Sequence, residues 1–476
     1  MNTRSHYRVV FKFNHSIELP EEEKEVEEYL SKDNPALWQR LLQLYPVVRI
    51  KRVFFSVKPG EIKKKLQEAK QKASDKGRDY DPPAINNYFA IKCPYEIDKK
   101  EVIKILQQFD CVELAYIEAA LAEPPSVNAS NNPRSAEQHY LDPAPVGIDA
   151  RFAWTKDGGD GNTGSYGNGK VQFIDIEQGW NLNHKDLAAA GISLLPGGIN
   201  LQYKWHGTSV LGIILAQDNN IGCVGITPFV SAKVSSIWRI DPEPSDSGNG
   251  AIKNIADAIW EAIHALKAGD VILIEAQLTD QDELTKNLLP VELEPAIFDA
   301  ITVGTNLDII IVEAGGNKRF DLDDFRNESE KFVLKKDHPD FKDSGAIMVG
   351  AAVSTVPHRR KRGKFGSNYG SRIDCFAWGS DINTTSSDKV DGNRSLYTSA
   401  FSETSGASAI IAGAVISIQS MKKQADGRKY DPDEIRRILH DPECGTASSN
   451  PETDKIGLMP DLKKIFKKYI EGGVQP

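Results

Sequence analysis

Cysteine is scarce in this chain of 476 residues: five, at Cys93, Cys111, Cys223, Cys375 and Cys444, with no CxxC pair among them. An odd, scattered set excludes a disulfide framework and a Cys-ligated zinc site, and a reducing cytoplasmic setting is expected. Long apolar runs are lacking too; none approaches the roughly 20 residues of a membrane helix. The opening segment, MNTRSHYRVVFKFNHSIELPEEE, has no extended apolar core and no small-residue cleavage site, so no signal peptide is expected. Positive charge is not in excess. The net charge of -9 gives no electrostatic reason to expect a nucleic-acid or membrane partner.

What is present divides into two parts. Over residues 7–118, β-branched and aromatic stretches (YRVVFKF at 7–13, VVRIKRVFFSV at 47–57, NYFAIKC at 87–93, CVELAYIEA at 111–119) alternate with helical patterns such as ALWQRLLQLY and DKKEVIKILQQF. Four strands with intervening helices predict a small α+β (ferredoxin-like) domain over 1–121. The polar, Pro- and Asn-rich stretch 122–139 predicts an exposed linker. From 140 to 476, continuous apolar runs (KVQFIDI, AKVSSIW, DVILIEA, DIIIVEA, AIMVGAA) alternate with helical segments. Runs of that kind suit strands buried on both faces. The α/β class follows: a doubly wound, mostly parallel sheet with helices on both faces.

In such a sheet, ligands bind beyond the carboxyl ends of the strands. Asp175 ends one strand, Asn317 follows another, His206 opens an apolar helix, and Ser405 opens the small-residue helix ETSGASAIIAGAV. All four converge on one rim. A serine hydroxyl becomes a nucleophile when an imidazole takes its proton and a buried carboxylate fixes that imidazole. An Asn side chain and a helix-start N–H then suit the oxyanion. Asp175, His206, Ser405 and Asn317 supply those roles, in the Asp-His-Ser chain order.

VQFID, HGTSVLGIILAQDNNIGCVGITP, IIIVEAGGN, FGSNYG and ETSGASAIIAGA are, in order and spacing, similar to the successive motifs of the subtilisin-like serine proteases. The resemblance covers roughly residues 140–440. It implies a serine endopeptidase acting on protein or peptide substrates, with Asp175 as orienting carboxylate, His206 as base, Ser405 as nucleophile and Asn317 as oxyanion donor. It also implies a substrate-binding region that includes Glu275, Ala276, Gln277, Gly315, Gly316 and Glu403. The first domain resembles a propeptide, which would be the chain's own inhibitor and folding partner; its length beyond the usual propeptide leaves a retained regulatory or partner-binding domain open. No cofactor is required. Structural calcium is frequent in the family, but DLDD (321–324) lacks a recognisable loop spacing, and no metal residues are assigned.

Departures from the family pattern point to a narrow substrate range. Asp175 is followed by Ile176-Glu177-Gln178-Gly179 rather than by one small residue and Gly, which reads as a short insertion. Glu275-Ala276-Gln277 stands for a Ser-x-Gly element, Glu403 for a Gly, and Ala409 for a Pro. Glu275, Glu313 and Glu403 near the cleft would select a basic side chain. Ala409 leaves open a peptide ligase or macrocyclase on the same fold, and Glu403 a non-catalytic binding module. The basic run HRRKRGK (358–364) is expected to be a solvated loop.

Overall fold

The computed structural model describes residues 6–476 apart from 18, 20–22, 47, 55–58, 76–81, 95, 118–131, 164–169, 241–250, 280–286, 328 and 389–392. The chain forms two compact units, Met1–Pro124 and Pro125–Pro476.

The smaller unit carries one antiparallel sheet in the order Ile50–Arg52, Tyr88–Pro94, His6–Phe13, Val112–Ile117. That is the ferredoxin-like order. The helices Pro35–Leu44 and Lys99–Leu106 start where Asn34 and Asp98 accept backbone N–H bonds from Leu37 and Lys100. Phe11, Phe13 and Phe89 stack within 5.4–6.1 Å of one another in its core. The strand expected over 47–57 pairs only at Ile50–Arg52; residues 47 and 55–58 lie outside the described residues.

The larger unit is built on a nine-stranded sheet. Its order is Gly445–Ala447, Leu458–Pro460, Cys375–Trp378, Ile347–Ala352, Ile310–Ala314, Val271–Ile274, Gln172–Glu177, Ser231–Ser236, Ser193–Leu194. Every pairing is parallel except that of the two strands after residue 444. Two apolar cores cover its faces. Phe173, Val312 and Ile310 point to one with the helices Lys204–Leu215 and Glu403–Asp426, while Ile174, Ile176 and Ile311 point to the other with Ile255–His264 and Pro295–Asn306.

The helix Glu403–Asp426 runs through the first core. Every residue from Thr404 to Lys422 is buried except Ser405. Small residues make that possible: a Cβ at Gly413 would sit 2.7 Å from Ile226. The fully buried Ile410, Ile411, Val415, Ile416 and Ile418 each contribute about 1.5–3 kcal/mol of burial. Of its buried polar groups, Ser417 donates to Gly159 O and Gln419 to Gly269 O and Tyr430 O, while Ser420 Oγ has no partner among the described residues. Length and composition would let this helix cross a membrane, and here it is the central core helix.

The linker expected over 122–139 is corrected in its second half. Residues 132–139 pack into the larger unit: Asn132, Ser135 and Gln138 are buried, Arg134 N donates to Gly222 O, and Gln138 Nε2 donates to Val224 O. Polar composition suggested an exposed tether, but these amides carry hydrogen bonds into the fold. Residues 122–131 lie outside the described residues.

Candidate active site

The strand Gln172–Glu177 runs two residues past Asp175, because Ile176 and Glu177 continue the parallel register opposite Ser235 and Ser236. Asp175 and Glu177 therefore share the face turned toward the helix Lys204–Leu215. His206 lies in that helix's first turn, where Gly207 lets it seat: a Cβ there would meet Gly179 O at 2.5 Å.

His206 is oriented by Glu177. Its Nδ1 is 2.8 Å from Glu177 Oε2, and the other carboxylate oxygen accepts the Gln178 N–H at 2.9 Å. The expected pairing of Asp175 with His206 is thereby corrected. Asp175 instead accepts the Trp180 Nε1–H at 2.7 Å, and its second oxygen has no partner among the described residues. Burial, then the neighbouring Glu177 carboxylate, pushes Asp175 well above the usual carboxylate range. Burial opposes an imidazolium at His206, but the Glu177 charge and hydrogen bond offset it, and the His206 pKa is raised. An acceptor on Nδ1 puts the neutral ring's hydrogen there and leaves Nε2 as the nitrogen that can accept a proton.

Ser405 is the third residue of its helix. Ahead of it, Glu403 N donates to Gly379 O and Thr404 N to Asn317 Oδ1. The Ser405 N–H belongs to a first turn that has no carbonyl one turn back, at the positive end of the helix. Asn317 is fixed at both ends of its amide: Oδ1 also accepts from Thr404 Oγ1 at 3.1 Å, and Nδ2 donates to Gln277 Oε1 at 2.9 Å. The loop that delivers it turns at Gly316, whose φ of 81° and close approach to Leu288 O exclude a side chain. Gly315 N donates to Val349 O at 2.9 Å.

Glu275 also enters this centre. One atom each of Glu177, His206 and Glu275 lie within 4.8 Å of one another, and the Glu275 carboxyl faces the Ser408 and Ser405 hydroxyls. Ala276 is half-buried and Gln277 exposed.

Among the described residues, two further glutamates each have a partner on one carboxylate oxygen, as Glu275 does with Ser408. Glu403 accepts from Lys361 Nζ at 2.8 Å, while burial outweighs that cation and raises its pKa. Its φ is 70°, a left-handed conformation at the position where the family pattern has glycine. Glu313 lies on the opposite face of the sheet. It accepts the Glu292 N–H, and Glu292 is paired with the buried Arg372, which also binds Asp374. The basic run 358–364 is not simply solvated either. His358 is buried between Val353 O and Pro145 O, Arg360 stacks 3.6 Å over Tyr369, and Lys361 supplies the Glu403 partner.

The DLDD segment does not fit calcium. Lys455 Nζ lies 2.9 Å from Asp323 and 3.7 Å from Asp321, and Ser371 donates to Asp323 Oδ1, so an ammonium stands where a cation would bind. Ala409 is completely buried.

A model of the subtilase family matches residues 193–453, more than half of the chain, including His206, Asn317 and Ser405. The chain belongs to the subtilase family. This subtilase is 25% identical over 277 residues to the major intracellular serine protease of Bacillus subtilis (strain 168), across 56% of the chain and 73% of the relative. It is 26% identical over 349 residues to a thermostable alkaline protease of Halalkalibacterium halodurans, across 70% and 81%. A solved protease structure from Pseudoalteromonas arctica aligns with a TM-score of 0.48 at 19% identity, covering 72% of this chain and 99% of that one.

The family match begins after both candidate carboxylates, so choosing between them rests on the hydrogen bond to His206. One sequence signal favoured Glu177 all along. Gly179 follows it by two residues, the family's spacing, and the apparent insertion after Asp175 vanishes in that register.

Proposed function

We propose that this subtilase is a serine endopeptidase working through Glu177, His206 and Ser405. The observation that carries the reading is the 2.8 Å bond from His206 Nδ1 to Glu177, at the rim where Ser405 stays partly exposed between the buried Thr404 and Gly406. Nε2 of His206 removes the Ser405 proton as Oγ bonds to the peptide carbonyl carbon. The carbonyl electron pair moves to oxygen, held by the Asn317 Nδ2–H and the Ser405 N–H. Collapse breaks the C–N bond, and the leaving amine takes the proton from the imidazolium. Water, deprotonated by the same nitrogen, then releases the acyl group. Glu177 fixes the tautomer and stabilises the imidazolium.

A narrow substrate range fits Gln277, whose side chain reaches across to Asn317 where the family pattern leaves a glycine for an approaching substrate strand. Selection of basic residues is not part of this reading, since Glu275, Glu313 and Glu403 have their own partners.

The test is a fluorophosphonate probe on full-length wild type, Ser405→Ala and His206→Ala, read by intact mass beside peptide turnover. Labelling and turnover are expected in wild type only. A mass loss confined to wild type would further identify the first unit as a self-processed propeptide. Labelling of Ser405→Ala, or a folded wild type that is neither labelled nor active, would sink the reading.

A further inference from the structure

Glu275 stands where the family pattern has a serine, directly after the strand Val271–Ile274 and with its N–H bonded to Ile176 O at 3.0 Å. Its side chain is buried, with 7% of the residue exposed. Oε1 lies 2.6 Å from Ser408 Oγ, and that same hydroxyl is 2.7 Å from the Thr404 carbonyl. Ser408 has one hydrogen, and a carbonyl can only accept it. With that hydrogen on Thr404 O, the 2.6 Å contact requires a hydrogen on Glu275. Burial, reinforced by the Glu177 charge, favours this neutral form. Oε2 is buried with no hydrogen-bond partner among the described residues, and the Ser405 hydroxyl faces the same carboxyl.

We propose that Glu275 is a second acid on the nucleophile: neutral, it leaves the Ser405 hydroxyl to His206; ionised, it takes that hydroxyl's hydrogen bond for itself. The deprotonation is a simple proton loss to solvent. The Ser408 hydrogen then swings from Thr404 O to Oε1, and Oε2 becomes an anionic acceptor facing Ser405. A hydrogen bond to a charged carboxylate is roughly twice as strong as one to a neutral imidazole nitrogen, so Ser405 turns away from its base. The groups facing Glu275 are Glu177 and Asp175 from the neighbouring strand, His206 from its helix, and Ser405 and Ser408 from the central helix. Of these only His206 can become positive.

The inference rests on Ser405 being the nucleophile, as proposed above. Its test is the rate of fluorophosphonate labelling against pH for full-length wild type, Glu275→Gln and Glu275→Ser, with far-UV circular dichroism on the same samples to confirm folding. Wild type is expected to lose about tenfold in rate per pH unit on the alkaline side, as one ionisation requires. Neither variant is expected to show that fall. Glu275→Ser carries the family's own residue and serves if Glu275→Gln does not fold. A folded wild type with a flat alkaline plateau, or variants that fall in parallel with it, would overturn the proposal. Absence of labelling in all three at every pH would instead overturn the assignment of Ser405 and, with it, the role given to Glu275.

Discussion

Glu177 and Asp175 sit two residues apart on one face of one strand, yet only Glu177 touches His206, through a 2.8 Å contact to Nδ1. Asp175 is spent on the indole of Trp180.

Exchanging these two acids should therefore give unlike results. Glu177→Gln is expected to lower kcat by about 10³–10⁴-fold, as loss of an orienting carboxylate does. Asp175→Asn, which still accepts from Trp180, should leave kcat near wild type. Asp175→Ala should cost about 1–3 kcal/mol of stability by orphaning the buried indole N–H. Steady-state turnover and urea denaturation of the three variants check this.

The acid limb of the rate profile should reflect the raised pKa of His206. A base must be neutral, so activity appears as pH rises through a midpoint above the unperturbed 6.5. In Glu177→Gln the residual activity should have its midpoint shifted to lower pH, because burial then acts without the carboxylate. For stability the sign is opposite: the gain from charged His206 is complete below 6.5 and is lost as pH climbs through its raised folded value. Kinetics and denaturation across pH 5–9 would read both.

Asn317 and Gln277 should separate in their kinetics. Asn317→Ala is expected to cost about 10²–10³-fold in kcat with little change in KM, the loss expected when one oxyanion donor goes. Gln277→Gly, restoring room for a substrate strand, should widen the range of peptides cleaved. A library of peptides of varied sequence, digested by both proteins, would show it.

The pair Lys361–Glu403 should be worth more broken than whole. Both ends are largely shielded, with side chains 16% and 26% exposed, so Lys361→Met leaves an acid stranded and should cost about 1–2 kcal/mol. Adding Glu403→Gly removes that acid and the left-handed strain together, and the double variant should recover most of the loss. Urea midpoints for the single and double variants decide it.

Glu313 is pushed up to about 8 by burial and by Glu292. The folded state therefore holds a proton that the unfolded chain releases near 4.5, and stability should decline as pH rises between those values. Glu313→Gln should flatten the decline, measurable as a smaller drop in Tm from pH 6 to pH 8.

Much of the fold was legible because apolar runs such as DIIIVEA and AIMVGAA admit few alternatives to buried parallel strands. The positions of Ser405, His206 and Asn317 at the ends of elements were legible because each opens or follows such a run. The choice of carboxylate was not. Where a strand stops is decided by pairing with its neighbour, and Ile176 and Glu177 are held in the sheet by Ser235 and Ser236, nearly 60 residues downstream. The basic run misled for a related reason. Composition counts charges without directions, and it cannot show that Lys361 turns inward to Glu403 while Arg359 and Arg362 face solvent. Likewise Glu275 read as a pocket residue until the helix bearing Ser408 was seen against it.

The thiols have a use unrelated to catalysis. All five cysteines are buried and unpaired, and burial lifts each above the ordinary thiol range, so a mild alkylating reagent should find none of them in the native fold. Cys93 and Cys111 belong to the first unit, Cys223, Cys375 and Cys444 to the second. The chain thus carries two independent sets of tags that become reactive only on opening. Peptide-resolved alkylation along a denaturant or temperature series would report, without any added label, which half of the molecule gives way first.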